Sequence, residues 1–294
     1  MPVFNGARFL REALDSLLSQ SFEEFQLIIS DNASTDETET ICREYENLDR
    51  RVGYHRSPEN RGATWNYNHV FQLAQAQVAP YFKWASHDDL CAASYLERCI
   101  ETLDSYPQVV LCYARTAIIG EDGGFVKYYP DDLNLRAVKP SERYRHFHRL
   151  YRHPRLCNPI FGVMRTNILA KTPLIGNYVS TDMVLLGELS LHGQFYEIPE
   201  ALFLRRDHPQ ASVRAYPQYR DRAAWFDPHN KDKLQMNKWI WLREYLGGIR
   251  RAALPPVERR RCYLEMGQWV WWNLRGLTKD IGKAVAWPFI NLQN

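Results

Sequence analysis

The chain has 294 residues, 45% of them hydrophobic, and a net charge of +3, which suits one large domain with an appendage and gives no argument for nucleic acid as a partner. Its six cysteines, at 42, 91, 99, 112, 157 and 262, form no Cys-x-x-Cys pair and read as buried thiols of a reducing compartment. The sequence has no Gly-x-Gly-x-x-Gly or Gly-Lys-Ser/Thr motif, no secretory-leader pattern and no apolar run near about 18 residues, so dinucleotide oxidoreductases, P-loop kinases and spanning helices are disfavoured and a cytoplasmic location is expected.

Pro2-Val3-Phe4-Asn5-Gly6 opens the chain. Phe9 to Gln20 reads as an amphipathic helix, with Phe9, Leu10, Ala13, Leu14, Leu17 and Leu18 on one face. Phe25 to Ser30 reads as a buried strand that ends at Asp31-Asn32-Ala33-Ser34-Thr35-Asp36. A helix follows to about Tyr45, and Ser34 with Glu37 fits a capping box at its start. Val52 to His55 is the next strand, then Asn60-Arg61-Gly62 and a helix from Trp65 to Ala76. A strand from Pro80 to Trp84 runs into Ser86-His87-Asp88-Asp89, and a helix opens at about Ala92. This β-α-β-α-β alternation implies a mostly parallel sheet covered on both faces.

Carboxylates at the C-terminal end of such a strand lie where ligands enter an α/β sheet. Asp88 and Asp89 repel each other, and become tolerable beside a divalent cation or hydrogen-bond donors. A helix N-cap is the plainer reading of the same residues.

The ordered set of motifs resembles family 2 glycosyltransferases of the GT-A fold over roughly residues 1–210. Its carriers are Pro2–Gly6, the segment Leu14–Phe22, the Ser30–Asp36 loop, Asn60-Arg61-Gly62 and Asp88-Asp89. The resemblance implies an α/β GT-A domain over 1–212 and a helical, Trp- and Arg-rich region over 213–294. It implies that Pro2, Phe4 and Asn5 line the base and ribose of a nucleotide-sugar donor, and that Asp31 accepts a hydrogen bond from the base. Asp88 would face the ribose, and Asp89 would hold a divalent cation, Mn²⁺ or Mg²⁺, that bridges the diphosphate. Arg61 is a phosphate or base contact on this reading, or a plain surface arginine.

In the second half, Val109–Ala114 reads as a strand, Gly120–Gly124 as a turn and Cys157–Met164 as strand or loop. Asp182 opens an apolar helix within Val179–Leu189, as the family's catalytic carboxylate does. By resemblance it deprotonates the acceptor hydroxyl in an inverting displacement, with Glu188 a secondary candidate. Phe195–His208 resembles the closing strand, which places Arg206 near the diphosphate and makes His208 a candidate metal ligand. The polar Pro209–Trp225 stretch reads as a lid or a solvated connection.

The C-terminal segment holds six of the nine tryptophans, and from 239 onward it has nine Lys/Arg against four Asp/Glu. Trp239–Leu246 and Tyr263–Leu274 read as helices separated by Pro255-Pro256. Aromatic and basic residues together suit peripheral contact with an anionic inner membrane, or packing on the catalytic domain.

The expected activity is metal-dependent transfer of a sugar, from a UDP-sugar, to a hydroxyl of a glycan or lipid-linked acceptor in envelope polysaccharide synthesis. A catalytically silent module that binds nucleotide sugar or glycan is the alternative, and a nucleotidyltransferase is a more distant one. The resemblance also places a central strand before Pro2. Adding about six to eight apolar residues ahead of Met1 is therefore expected to raise the melting temperature by completing ladder bonds and apolar burial, and an unchanged melt would refute this.

Overall fold

The computed structural model describes residues 1–231 and 233–291, with side chains at 212, 213 and 288–291 left aside. Three parallel strands, β1 (Pro2–Val3), β2 (Leu27–Asp31) and β3 (Val52–Arg56), form one sheet with Pro2 opposite Ser30 and Ile29 opposite Tyr54. Their connecting helices are α1 (Ala7–Leu18) and α2 (Thr38–Leu48). α1 buries Phe9, Leu10, Ala13, Leu14 and Leu17, the stripe its sequence spacing predicts. Each such side chain contributes roughly 1.5–3 kcal/mol on burial.

After α3 (Gly62–Gln75) the chain builds a second, six-stranded sheet. Its strands are β4 (Tyr81–Phe82), β5 (Leu90–Cys91), β6 (Val109–Ile119), β7 (Phe125–Tyr129), β8 (Val163–Arg165) and β9 (Gln194–Arg206), in the order β4-β8-β6-β9-β5 with β7 on β6. β6 and β9 run parallel and the other pairs antiparallel. Between them in sequence lie α4 (Tyr95–Ser105), α5 (Pro140–Leu150), α6 (Thr166–Leu169) and α7 (Thr181–His192). The α/β architecture expected from sequence is present, with its parallel sheet and flanking helices, and the two sheets are separate. A cavity of about 990 Å³ lies between them, lined by Leu27 and Ile28 of β2 and by Tyr81 and Phe82 of β4.

A short α8 (Ser212–Ala215) and α9 (Tyr219–Phe226) follow β9, so the Pro209–Trp225 stretch is partly helical. The chain then enters a helical hairpin, α10 (Asn237–Arg251) and α11 (Pro256–Asn291). The sequence reading stops the last helix at Leu274, before Gly276 and Gly282. The helix continues because Leu277 and Asp280 dock on α10: the Leu277 carbonyl accepts from Trp239 Nε1 (3.1 Å), and Asp280 accepts from the Lys238 backbone N–H (2.9 Å). Tyr245, Ile249, Cys262, Met266 and Trp269 join the hydrophobic core that contains Tyr144, Phe147, Leu185 and Phe195.

Asn66 on α3 ties the first sheet together. Its Oδ1 accepts from Ser30 Oγ (2.6 Å), and its Nδ2 donates to the carbonyls of Val3 (3.2 Å) and Ser30 (3.0 Å). Asn66 is buried, so truncation takes the acceptor from the Ser30 hydroxyl and a donor from the carbonyls of two strands, of which Val3 keeps the Asn32 N–H. Asn66→Ala is expected to lower stability by about 2–3 kcal/mol in urea denaturation, and a loss below about 0.5 kcal/mol would show that the strands do not depend on it.

Candidate active site

The end of β2 forms the first wall. Asp31 is fully buried; its Oδ1 accepts from the Ser34 N–H (2.8 Å), while Oδ2 accepts from Tyr54 OH (2.7 Å) and Arg56 (3.3 Å). Ser34 Oγ accepts from the Asn5 N–H (2.8 Å), and Asn5 Oδ1 accepts from the Thr35 N–H (2.8 Å). Asn5 has φ 50°, a left-handed conformation that asparagine tolerates. The two loops are thus stitched together, with Phe4 exposed beside them. Ser34 spends its hydroxyl on Asn5, so the capping box expected with Glu37 does not form and the helix begins at Thr38.

Gly6 brings this wall against the acidic loop. A Cβ there would lie 2.7 Å from the His87 ring. Arg61 stacks over Trp65 (4.6 Å) and is exposed, while Gly62, at φ 83°, packs against the Phe226 carbonyl. No larger residue fits that approach or favours that φ.

Asp88 and Asp89 are held in different ways. Asp88 bonds Ser86 Oγ through one oxygen and His208 Nε2 (2.9 Å) through the other. Burial opposes its charge, but nearby His87 and the bonds to His208 and Ser86 keep its carboxyl below the usual range. Asp89 accepts the Arg206 backbone N–H (2.9 Å), and its pKa is pushed up to about 7 by burial and then by the charge of Asp88. The Arg206 guanidinium is fully buried. It donates to the carbonyls of Asp88 (3.0 Å) and Glu121 (2.8 Å) and to Glu12 (2.7 Å), and lies over the Phe9 ring (4.7 Å).

Asp182 comes from the other side of the sequence. The N-cap of α7 is Ser180, so Asp182 is the second residue of the helix, and its Oδ1 accepts the N–H of its neighbour Met183 (2.9 Å). Burial raises its affinity for a proton, opposed by that bond, by the Cys157 thiol and by the charge of Arg205. Arg205 also acts on Asp89, so one cation faces both carboxylates. The half-buried Tyr67 lies in the combined field of Asp88, Asp89, Asp182 and Arg205.

Sequence reasoning chose Arg206 and passed over Arg205. Successive side chains of a strand point to opposite faces, so β9 buries Arg206 and presents Arg205 on the other face, where its charge bears on Asp89 and Asp182. Arg205 is oriented by Asn158 Oδ1 (2.5 Å), whose Nδ2 donates to buried Asp131 (3.0 Å), itself bonded to Thr116 (2.6 Å). Asp131, with its pKa raised to about 6 by burial, carried no motif that would have marked it. Glu188 does not join Asp182: it pairs with Arg251 (2.9 and 2.6 Å) and fastens α7 to α10.

Among the described residues no three His, Cys, Asp or Glu side chains come together as a metal cage. The acidic loop nevertheless fits a Mg²⁺-like ion, which uses one or two carboxylates and takes its other oxygens from phosphate and water. The burial and charge conflict that raise Asp89, and the buried Nδ1 of His208, which has no hydrogen-bond partner among the described residues, are consistent with such an ion.

A model for glycosyl transferase family 2 matches residues 1–172. An uncharacterized glycosyltransferase of Rickettsia typhi is 31% identical over 147 residues, 49% of this chain and 41% of its own length. The putative teichuronic acid biosynthesis glycosyltransferase TuaG of Bacillus subtilis is 31% identical over 100 residues, 34% of this chain and 38% of its own. The chain therefore spans less than half the length of these relatives. The structure of S. aureus TarS 1–349 in complex with UDP-GlcNAc superposes with a TM-score of 0.64 at 16% identity, over 90% of this chain and 69% of that one. Mannosyltransferase PcManGT from Pyrobaculum calidifontis, in complex with GDP-Man and Mn²⁺, gives a TM-score of 0.51 at 14% identity, over 97% and 85%. The chain belongs to glycosyl transferase family 2.

The raised Asp89 has a sign that can be tested without turnover. The native state holds this proton to about pH 7, whereas an unfolded aspartate releases it near about pH 4, so stability falls as pH rises through that window. In the presence of a chelator, Asp89→Asn is expected to be more stable than wild type by about 1–2 kcal/mol at pH 8, with the gap shrinking toward pH 4. Thermal melts across pH check it; an equal gap at every pH would show that the Asp89 titration is not the cause.

Proposed function

We propose that the chain moves a sugar from a nucleotide-sugar donor to a hydroxyl of a glycan or lipid-linked acceptor, with inversion and with a divalent cation. The observation that carries this reading is that the charge of Arg205, whose side chain is held by Asn158, bears on both Asp89 and Asp182, and that all three bear on Tyr67. The UDP and UDP-GlcNAc complexes of TarS support a UDP-sugar donor, and the similarity to TuaG, a glycosyltransferase assigned to teichuronic acid biosynthesis, supports an acceptor in surface polysaccharide synthesis.

In this mechanism the Pro2–Asn5 loop, with Phe4, and Asp31 flank the nucleoside. Tyr54 and Arg56 hold the Asp31 carboxylate in place, and Ser34 leaves one of its lone pairs for a base N–H. Arg61 is a contact at the rim of this pocket. Asp88 faces the ribose, fixed by Ser86 and His208. Asp89 and His208 would hold Mn²⁺ or Mg²⁺, which offsets the charge that builds on a departing diphosphate.

Arg205 supplies protein-borne positive charge on the same side, and its planar guanidinium suits phosphate oxygens. Arg206 acts through the acidic loop, which it clamps from beneath. Asp182 takes the proton of the acceptor hydroxyl as that oxygen attacks. Its burial strengthens it as a base, and Met183 N–H holds it in position.

Titration calorimetry of UDP, GDP and dTDP with Mn²⁺ tests donor and metal together. One nucleotide is expected to bind, and binding should be lost in Asp89→Ala; no binding to any nucleotide would overturn the reading. Asp182→Asn should bind that nucleotide unchanged but lower transfer by about 10²–10⁴-fold. Arg205→Ala should lower transfer at wild-type stability, whereas Arg206→Ala should lower the melting temperature. The opposite assignment of the two arginines would overturn the register argument.

A further inference from the structure

The two faces of α11 have different fates. Cys262, Met266, Trp269, Leu277 and Asp280 turn inward and are buried. The outward face carries Val257 (63% exposed), Leu264 (66%), Trp271 (76%), Leu274, Ile281 and Val285 (67%). From Val257 to Val285 this apolar line extends for about 42 Å at the helical rise per residue. Arg259, Arg260, Arg261, Arg275, Lys279 and Lys283 are exposed along the same stretch, which exposes no Asp or Glu. Glu258 and Glu265 are partly covered and engaged with Arg261 and Arg145. Arg260, Arg275 and Lys279 pair with no carboxylate among the described residues. A cleft of about 500 Å³ opens beside them, lined by Leu234, Ala286 and Trp287, with Lys279 and Lys283 on its walls.

We propose that this outer face of α11 docks on an anionic lipid bilayer, with its apolar line in the acyl boundary and its cations at the headgroups. A second copy of the chain is disfavoured because two acid-free cationic faces repel. A lipid surface satisfies both components: apolar side chains gain burial and the cations meet phosphate. The helix lies along such a surface, since no described helix is long and apolar enough to cross a membrane. Trp271 is the central anchor, because its ring suits the headgroup boundary.

The test is flotation of the full chain with vesicles of phosphatidylcholine, with and without phosphatidylglycerol. Wild type should float with the anionic vesicles only, and less at high salt. Arg260→Glu, Arg275→Glu and Lys279→Glu should each weaken partitioning at least about fivefold. The double change Leu264→Ser with Trp271→Ser should abolish flotation. Both sets of variants lie on an exposed face, so melting temperature and nucleotide binding should match wild type. Equal flotation of wild type and variants, or equal binding to neutral vesicles, would overturn the proposal. A dimer that Trp271→Ser converts to monomer would also overturn it and assign the face to self-association. Flotation requires no turnover, so it fails or succeeds independently of the proposed transfer reaction.

Discussion

The site depends on holding two adjacent carboxylates in place although they repel. Arg206 does this from inside the protein. Its backbone N–H serves Asp89 and its side chain serves the Asp88 carbonyl, while other arms reach α1 and the turn after β6. The ion pair with Glu12 adds little, because that carboxylate is 57% exposed and water screens it. What matters is that a buried guanidinium has its donors satisfied by groups that must themselves stay fixed. The asymmetry between Asp88 and Asp89 follows: His208 and Ser86 stabilise charge on the first, and that charge discourages ionisation of the second.

This clamp also sets what β9 presents to the site. Its pleat is fixed by the long parallel ladder with β6, which pairs Ile118 with Arg205 and Ile119 with Arg206. A slip of one residue would flip the side chains of β9, turning Arg206 out of its buried clamp and Arg205 away from the carboxylates. The pair Arg205-Arg206 was legible in the sequence as phosphate chemistry. Which of the two faces the carboxylates was not, because that depends on register with a strand far away in the chain.

The same division runs through the rest of the molecule. α1, β2, β3 and α3 were legible because their apolar spacing is local and nothing overrides it. Asp31 and Asp182 stood out because one ends a strand and the other begins a helix, and Asp88-Asp89 because adjacent carboxylates repel, although they lie in a loop that leads into β5 rather than at the end of β4. The capping box at Ser34 failed because a residue outside its helix, Asn5, competes for the hydroxyl. Glu188 looked like a partner for Asp182 by proximity in sequence, but six residues of helix turn it toward Arg251 on α10. Asp131 and Asn158 could not have been found, since their roles come only from tertiary contact with Arg205.

The C-terminal hairpin shows why composition alone left two readings open. Tryptophan and arginine serve both a core and a membrane surface, and here they serve the core first. Trp269 is buried against Tyr245, Trp241 donates to the Val179 carbonyl, Trp239 donates to Leu277, and Trp272 lies under Arg152. Trp271 follows Trp269 by two positions, about 200° around the helix, and so must face away from the contact that buries its neighbour. The helix needs only one apolar face to be held in place. A second apolar line along its outer side, interleaved with cations and free of acids, is more than packing on the catalytic domain requires, and it is this surplus that the bilayer proposal explains.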